Sequence, residues 1–337
     1  MAPLSETDRS VIVDRRLLLR VRSLVAAFLF LVTAAAQAQL ESDPAYGLST
    51  DFRNWLSANG YSSYSFTRTD VPGGSYGGRV TPGQAVVNDP VIFIHGNSDS
   101  ALGTGSAAAT GWRASIEYFK SQGYTSAELY ATTWGPANAA FASQQYHSKD
   151  HLTRVRAFIQ AVKAYTGAAK VDIVTHSMGV TLARKAIKGG AASDSLAGGS
   201  YNLGAALMSS VDTFVGIAGA NRGLTTCYLS GPTTPTCGST NGFYPGYLVG
   251  GFGPYGVSSF LVDLASSSHY EASNVYTIWS SADEVIGYGT IVYGSSTCRI
   301  PAQNGEKTFS GYPYGHIGSK DQTAYYQWRM VKFHATN

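Results

Sequence analysis

The stretch Val171-Asp172-Ile173-Val174-Thr175-His176-Ser177-Met178-Gly179 constrains this chain more than any other. A strand-type apolar run meets a helical pattern at residues 180–187, with Ser177 at the junction. A strand that passes into a helix over so short a turn forces strained dihedrals on the residue at its apex. Residues two before and two after must then be small, so that strand and helix can approach. Gly179 meets that need, whereas Thr175 stands where such turns usually carry Gly.

The flanking pattern supplies the rest of an α/β domain. Val91-Ile92-Phe93-Ile94 is apolar without alternation, as expected of a strand buried on both faces, and it ends at His95-Gly96. Residues 112–121 are predicted helical and closed by Gly123, and residues 127–134 extended. From Asp150, read as an N-cap, Leu152, Val155, Phe158, Ile159, Val162 and Tyr165 recur at helical spacing until Gly167. The helical stretch 180–187 stops at Gly189-Gly190, and residues 211–217 and 275–279 look like further buried strands. Alternating strands and helices predict a mostly parallel sheet with helices on both faces. At 337 residues, 44% of them hydrophobic, the chain is long enough to bury one large core.

The N-terminus reads as a secretory signal. Arg15, Arg16, Arg20 and Arg22 precede an apolar run over residues 24–36, followed by Ala36-Gln37-Ala38, which predicts cleavage after Ala38 and an extracellular location. The run is shorter than a spanning helix requires, and no later stretch is long enough, so no transmembrane segment is expected in the mature chain. Residues 39–88, rich in Gly, Ser and Tyr, are predicted to be an irregular extension, and residues 89–337 the main domain. The formal charge of +3 belongs mostly to the first 38 residues, so nothing argues for nucleic acid or an acidic partner. In an oxidising compartment one pair among Cys227, Cys237 and Cys298 is expected to bridge, with Cys227–Cys237 the first choice. No zinc spacing is evident, and no metal or cofactor is called for.

A serine hydroxyl becomes a nucleophile when a histidine accepts its proton and a carboxylate orients that histidine. In the α/β-hydrolase arrangement the order is Ser, acid, His. Downstream of Ser177 stand His269, His316 and His334. His334 is close to the C-terminus and His269 precedes the suitable acid, which leaves His316, in a Gly- and Pro-rich loop. Asp283 follows the strand at 275–279, where such sheets place ligands, with Asp263 and Glu284 as competitors. Backbone N–H groups of Asn97 and Met178 are the candidate donors for an oxyanion, and His95 is read as structural.

Taken together, Ile92-Phe93-Ile94-His95-Gly96, Thr175-His176-Ser177-Met178-Gly179, Ser280-Ser281-Ala282-Asp283 and Gly315-His316-Ile317-Gly318 resemble the class 2 lipases, and are similar to the small secreted Bacillus lipases. In those relatives Ala replaces the first Gly of the turn, so departure there, as at Thr175, has precedent. The resemblance implies an α/β-hydrolase fold, esterase or lipase activity without a cofactor, an acyl-ester or lipid substrate met at a lipid–water interface, and Asp283 as the acid. The small bacterial relatives have essentially no lid, whereas residues 221–260 here add a Gly-, Pro- and Tyr-rich insertion. That insertion reads either as a flap over the acyl site or as a loop packed on the surface. Soluble-ester hydrolysis, polyester depolymerisation, acyl transfer and a non-catalytic binding protein on the same fold remain as alternatives.

Overall fold

Residues of the strand at 91–94 point alternately to opposite faces, and both faces are covered. Ile92 and Ile94 join one apolar cluster, Val91 and Phe93 the other. The computed structural model describes residues 47–337. The expected signal segment 1–38 and the first residues of the 39–88 extension lie outside the described residues.

Seven strands form the central sheet: β1 (Ser75–Tyr76), β2 (Val91–Ile94), β3 (Leu129–Thr132), β4 (Val171–His176), β5 (Val211–Ile217), β6 (Asn274–Ser280) and β7 (Gly305–Phe309). Their spatial order is β1-β3-β2-β4-β5-β6-β7. Only β1, at the edge, runs antiparallel to its neighbour. Among the described residues eight helices accompany them: α1 (Thr50–Ala58), α2 (Arg113–Ser121), α3 (Lys149–Thr166), α4 (Met178–Lys188), α5 (Thr225–Ser230), α6 (Ser259–Ala265), α7 (Gly318–Asp321) and α8 (Ala324–Phe333). Helices α1, α3, α4 and α6 bury apolar residues in one cluster, α2 and α8 in the other. This is an α/β-hydrolase architecture, a mostly parallel sheet with helices on both faces, as expected.

The extension before residue 89 is not irregular throughout. Ser49 caps α1 by accepting the Phe52 N–H (3.2 Å), and Phe52 stacks on Tyr165 of α3 at 4.4 Å between ring centroids. Only Phe52 and Leu56 of its nine residues are buried, a single i,i+4 pair too sparse to stand out in a Gly- and Ser-rich stretch. Strand β7 does not stand out in the sequence for a similar reason: Gly-Glu-Lys-Thr-Phe carries no apolar run, and its place is set by parallel pairing with β6. Helix α3 is capped by Ser148, which accepts the His151 N–H (3.2 Å), and not by Asp150. Asp150 instead lies in the first turn, where its charge favours the helix dipole.

Within 221–260, Cys227 and Cys237 are bridged, while the Cys298 thiol is buried and free. Tyr247–Val249 and Phe252–Tyr255 form a two-stranded hairpin outside the main sheet. Among the described residues no helix is long and apolar enough to cross a membrane.

One buried ion pair secures α4. Arg184 Nε lies 2.8 Å from Glu271 Oε1, with the two side chains 1% and 0% exposed, and the guanidinium also donates to Asn221 Oδ1 (2.9 Å). Removing one partner leaves the other charge buried without its counterion. Glu271→Ala should therefore lower unfolding free energy by about 3–5 kcal/mol, measured by urea denaturation. A loss below about 1 kcal/mol, the value of an exposed pair, would refute that accounting.

Candidate active site

Strand β4 enters α4 through Ser177, which has φ 53° and ψ −127°, a strained conformation for a residue with a side chain. Its N–H donates to the Ile217 carbonyl at the end of β5 (2.8 Å), and its carbonyl accepts the Val180 N–H (3.0 Å). The turn demands room on both sides. A Cβ on Gly179 would lie 2.4 Å from the His95 carbonyl oxygen, and one on Gly96 would lie 2.8 Å from Ser177 Cβ. Thr175 is tolerated because it faces β5, where its buried hydroxyl donates to the Val215 carbonyl (2.9 Å).

Two strands away, β6 ends at Ser280 and the chain turns through Asp283. One carboxylate oxygen of Asp283 accepts the N–H groups of Val285 (3.0 Å) and Ile286 (2.8 Å). The other lies 2.8 Å from His316 Nδ1. A carboxylate can only accept, so Nδ1 carries the proton and a neutral ring leaves Nε2 as the free base. His316 sits between β7 and α7, its ring centroid 4.6 Å from that of His176, the residue before Ser177. The geometry thus brings together the segments carrying Ser177, Asp283 and His316.

The loop after β2 is held by side chains. His95 Nδ1 lies 2.7 Å from the Gly96 carbonyl, while His95 Nε2 accepts the Trp134 N–H (3.0 Å). Asn97 Nδ2 donates to the Ala142 carbonyl (2.9 Å). Asp99 accepts the N–H groups of Ser100 (2.7 Å) and Gly111 (3.0 Å). Lys320, fully buried in α7, reaches Thr110 Oγ1 (2.8 Å), the Gly111 carbonyl and, at 3.7 Å, Asp99. This places the Asn97 backbone beside Gly96, which abuts Ser177. Met178 opens α4, where first-turn N–H groups have no intrahelical acceptor.

The competing residues lie elsewhere. His269 is half-buried and its Nδ1 lies 3.1 Å from the Ala302 carbonyl. His334 pairs with Asp212 (2.9 Å), and Asp263 on α6 pairs with Lys185 (2.9 Å) and Lys188 (3.1 Å). Glu284 does border the site: its carboxylate accepts the His316 backbone N–H (2.9 Å). Sequence reasoning did not single out His176, Asp99 or Lys320, whose partners at the site are set by chain-distant contacts. Among the described residues no group of three or more His, Cys, Asp or Glu side chains is arranged to hold a metal ion.

A family model described as Lipase (class 2) matches residues 88–329. Among solved structures, lipase B of Aspergillus fumigatus is similar at 14% identity and a TM-score of 0.47, over 75% of this chain and 54% of that one. The chain therefore spans about half the length of that protein. The mature lipase BlEst2 of Bacillus licheniformis is similar at 13% identity and a TM-score of 0.47, over 75% of this chain and 96% of that one. No curated protein matches the chain.

Burial pushes the His95 imidazole down to about 3, so it stays neutral in the folded protein while the unfolded chain titrates near 6.5. Because the unfolded state binds the extra proton, this histidine removes stability as pH falls from 6.5 towards 3. His95→Gln retains a donor and an acceptor without the titration. Its stability, from urea unfolding at pH 6.5 and 4.5, should fall by about 2 kcal/mol less than that of the wild type. Equal losses in the two proteins would refute the assignment.

Proposed function

Because the chain belongs to the class 2 lipase family, which makes it a carboxylic ester hydrolase, we propose that it cleaves acyl esters with Ser177 as nucleophile, His316 as base and acid, and Asp283 as the group that orients His316. The observation that carries this reading is the buried 2.8 Å contact of Asp283 with His316 Nδ1 beside the strained turn at Ser177. Ser177 Oγ attacks the ester carbonyl as His316 Nε2 takes its proton. The N–H groups of Asn97 and Met178 receive the developing oxyanion. Collapse expels the alcohol, which leaves with the proton from His316, and an acyl-serine remains. Water, deprotonated by His316, attacks the acyl-serine, and collapse releases the carboxylic acid as His316 returns the proton to Ser177 Oγ.

Several features favour a lipid substrate met at an interface. Residues 223–262 contain no charged side chain and no histidine. Their hairpin leaves Phe252 73% and Val249 59% exposed, with Tyr247, Leu248 and Tyr255 also exposed. Contiguous exposed apolar groups of this kind are a property of interaction surfaces. A cavity of about 590 Å³, lined by Pro245, Pro254, Val257, Leu261 and Tyr293 among others, separates part of the hairpin from α6. In this reading the insertion is a flap that meets lipid, and the substrate is a triacylglycerol. The Cys227–Cys237 bridge supports secretion, since such bonds persist in oxidising compartments.

A fluorophosphonate probe should label the wild type at Ser177 and leave Ser177→Ala unlabelled, with hydrolysis falling by roughly 10⁴-fold or more. Failure to label correctly folded wild type would sink the mechanism. Separately, the double variant Val249→Asp, Phe252→Asp should lose at least about tenfold on a long-chain triglyceride emulsion while keeping its rate on p-nitrophenyl acetate. Equal losses on both, or none, would remove the lipid-surface reading.

A further inference from the structure

His316 lies in the connection Gly311-Tyr312-Pro313-Tyr314-Gly315-His316-Ile317-Gly318, outside any strand. The contact of Nδ1 with Asp283 sets the direction of the ring but does not locate the backbone that carries it. Both backbone polar groups of His316 are nevertheless bound, and each by the chain neighbour of another member of the triad. Its N–H donates to Glu284 Oε2 at 2.9 Å, next to Asp283. Its carbonyl lies 3.1 Å from Nε2 of His176, next to Ser177.

We infer that Glu284 and His176 are positioning residues that clamp the His316 backbone, so that base, acid and nucleophile keep one mutual geometry. This inference rests on the reading of Ser177, Asp283 and His316 as the reacting triad. A carbonyl can only accept, so His176 Nε2 carries the proton. His176 Nδ1 is then bare, and it is a buried atom without a hydrogen-bond partner. Burial holds this imidazole neutral, well below its usual range, which keeps it a one-proton donor.

The Glu284 arm has a second support in Gly315. A Cβ there would lie 2.5 Å from Glu284 Oε2, so a side chain at 315 would push the carboxylate from its place against the next N–H. The loop is itself closed tightly, since a Cβ on Gly318 would fall 1.8 Å from the Pro313 carbonyl oxygen. Removing one clamp therefore releases a short, tight segment bearing the base and leaves the sheet intact. Misplacing a reacting group by about 1 Å can lower turnover about 100-fold.

The test compares Glu284→Ala, Glu284→Gln, Gly315→Ala and His176→Phe with the wild type. The readouts are fluorophosphonate labelling rate, kcat and KM on p-nitrophenyl acetate, and thermal unfolding. Glu284→Ala, Gly315→Ala and His176→Phe should each lower labelling rate and kcat about 10- to 100-fold with KM within about twofold. Glu284→Gln, whose amide oxygen still accepts the N–H, should stay within about threefold of wild type. Adding Gly315→Ala to Glu284→Ala should bring little further loss, because both break one contact. If His176→Phe fails to fold, the exposed Glu284 and its neighbour Gly315 still decide the matter. Folded Glu284→Ala and Gly315→Ala reacting at wild-type rates would overturn the clamp, as would Glu284→Gln reacting as slowly as Glu284→Ala. An unlabelled wild type would instead overturn the triad reading beneath it.

Discussion

The close approach of two backbones, the end of β2 and the start of α4, governs the site. At Gly179 a methyl group would strike the carbonyl oxygens of both Ile94 and His95, and at Gly96 it would strike Ser177 itself. That contact is possible only because both positions lack a side chain, and it holds Ser177 at positive φ at the tip of a strand. The same contact brings the loop after β2 alongside Ser177, so the Asn97 and Met178 segments and Ser177 are arranged by one packing event. The strain is sustained because Ser177 is tied on both sides, to Ile217 and to Val180.

Around that contact, polar groups do what an apolar core could not. His95 joins the loop after β2 to Trp134 through both ring nitrogens and stacks on the indole at 5.0 Å. Asp99 and Lys320 join the same loop to α7, just beyond His316. Asp283 and Glu284 spend their oxygens on backbone N–H groups and on His316. Hydrogen bonds are directional where hydrophobic contacts are not, so they can hold irregular loops at the ends of strands in one arrangement. The hairpin at 247–255, with only its own strands paired and its apolar side chains outward, is built in the opposite way.

Most of the sheet was legible because buried parallel strands are continuous apolar runs. The strands at 91–94, 211–217 and 275–279, and the helices at 112–121, 150–167 and 180–187, stand in the pattern of residues. What was not legible lacked such a run: α1 buries only Phe52 and Leu56, and β7 is a polar edge strand placed by β6. The Cys227–Cys237 bridge was readable from spacing, since ten residues close a small loop.

For the site, the order Ser177, Asp283, His316 and the two glycines were present in the sequence by itself. They determined the kind of turn, the kind of chemistry and the family. The sequence favoured Asp283 as the acid, with Glu284 and Asp263 as competitors, because residue type and strand ends do not measure a distance. Only the tertiary structure gives each of them its partner. It set Asp283 against Nδ1 of His316, gave Glu284 to the backbone N–H and paired Asp263 with lysines of α4. The physical reason is that local pattern records which face of an element is buried, whereas hydrogen bonds between chain-distant loops depend on how the sheet stacks its strand ends.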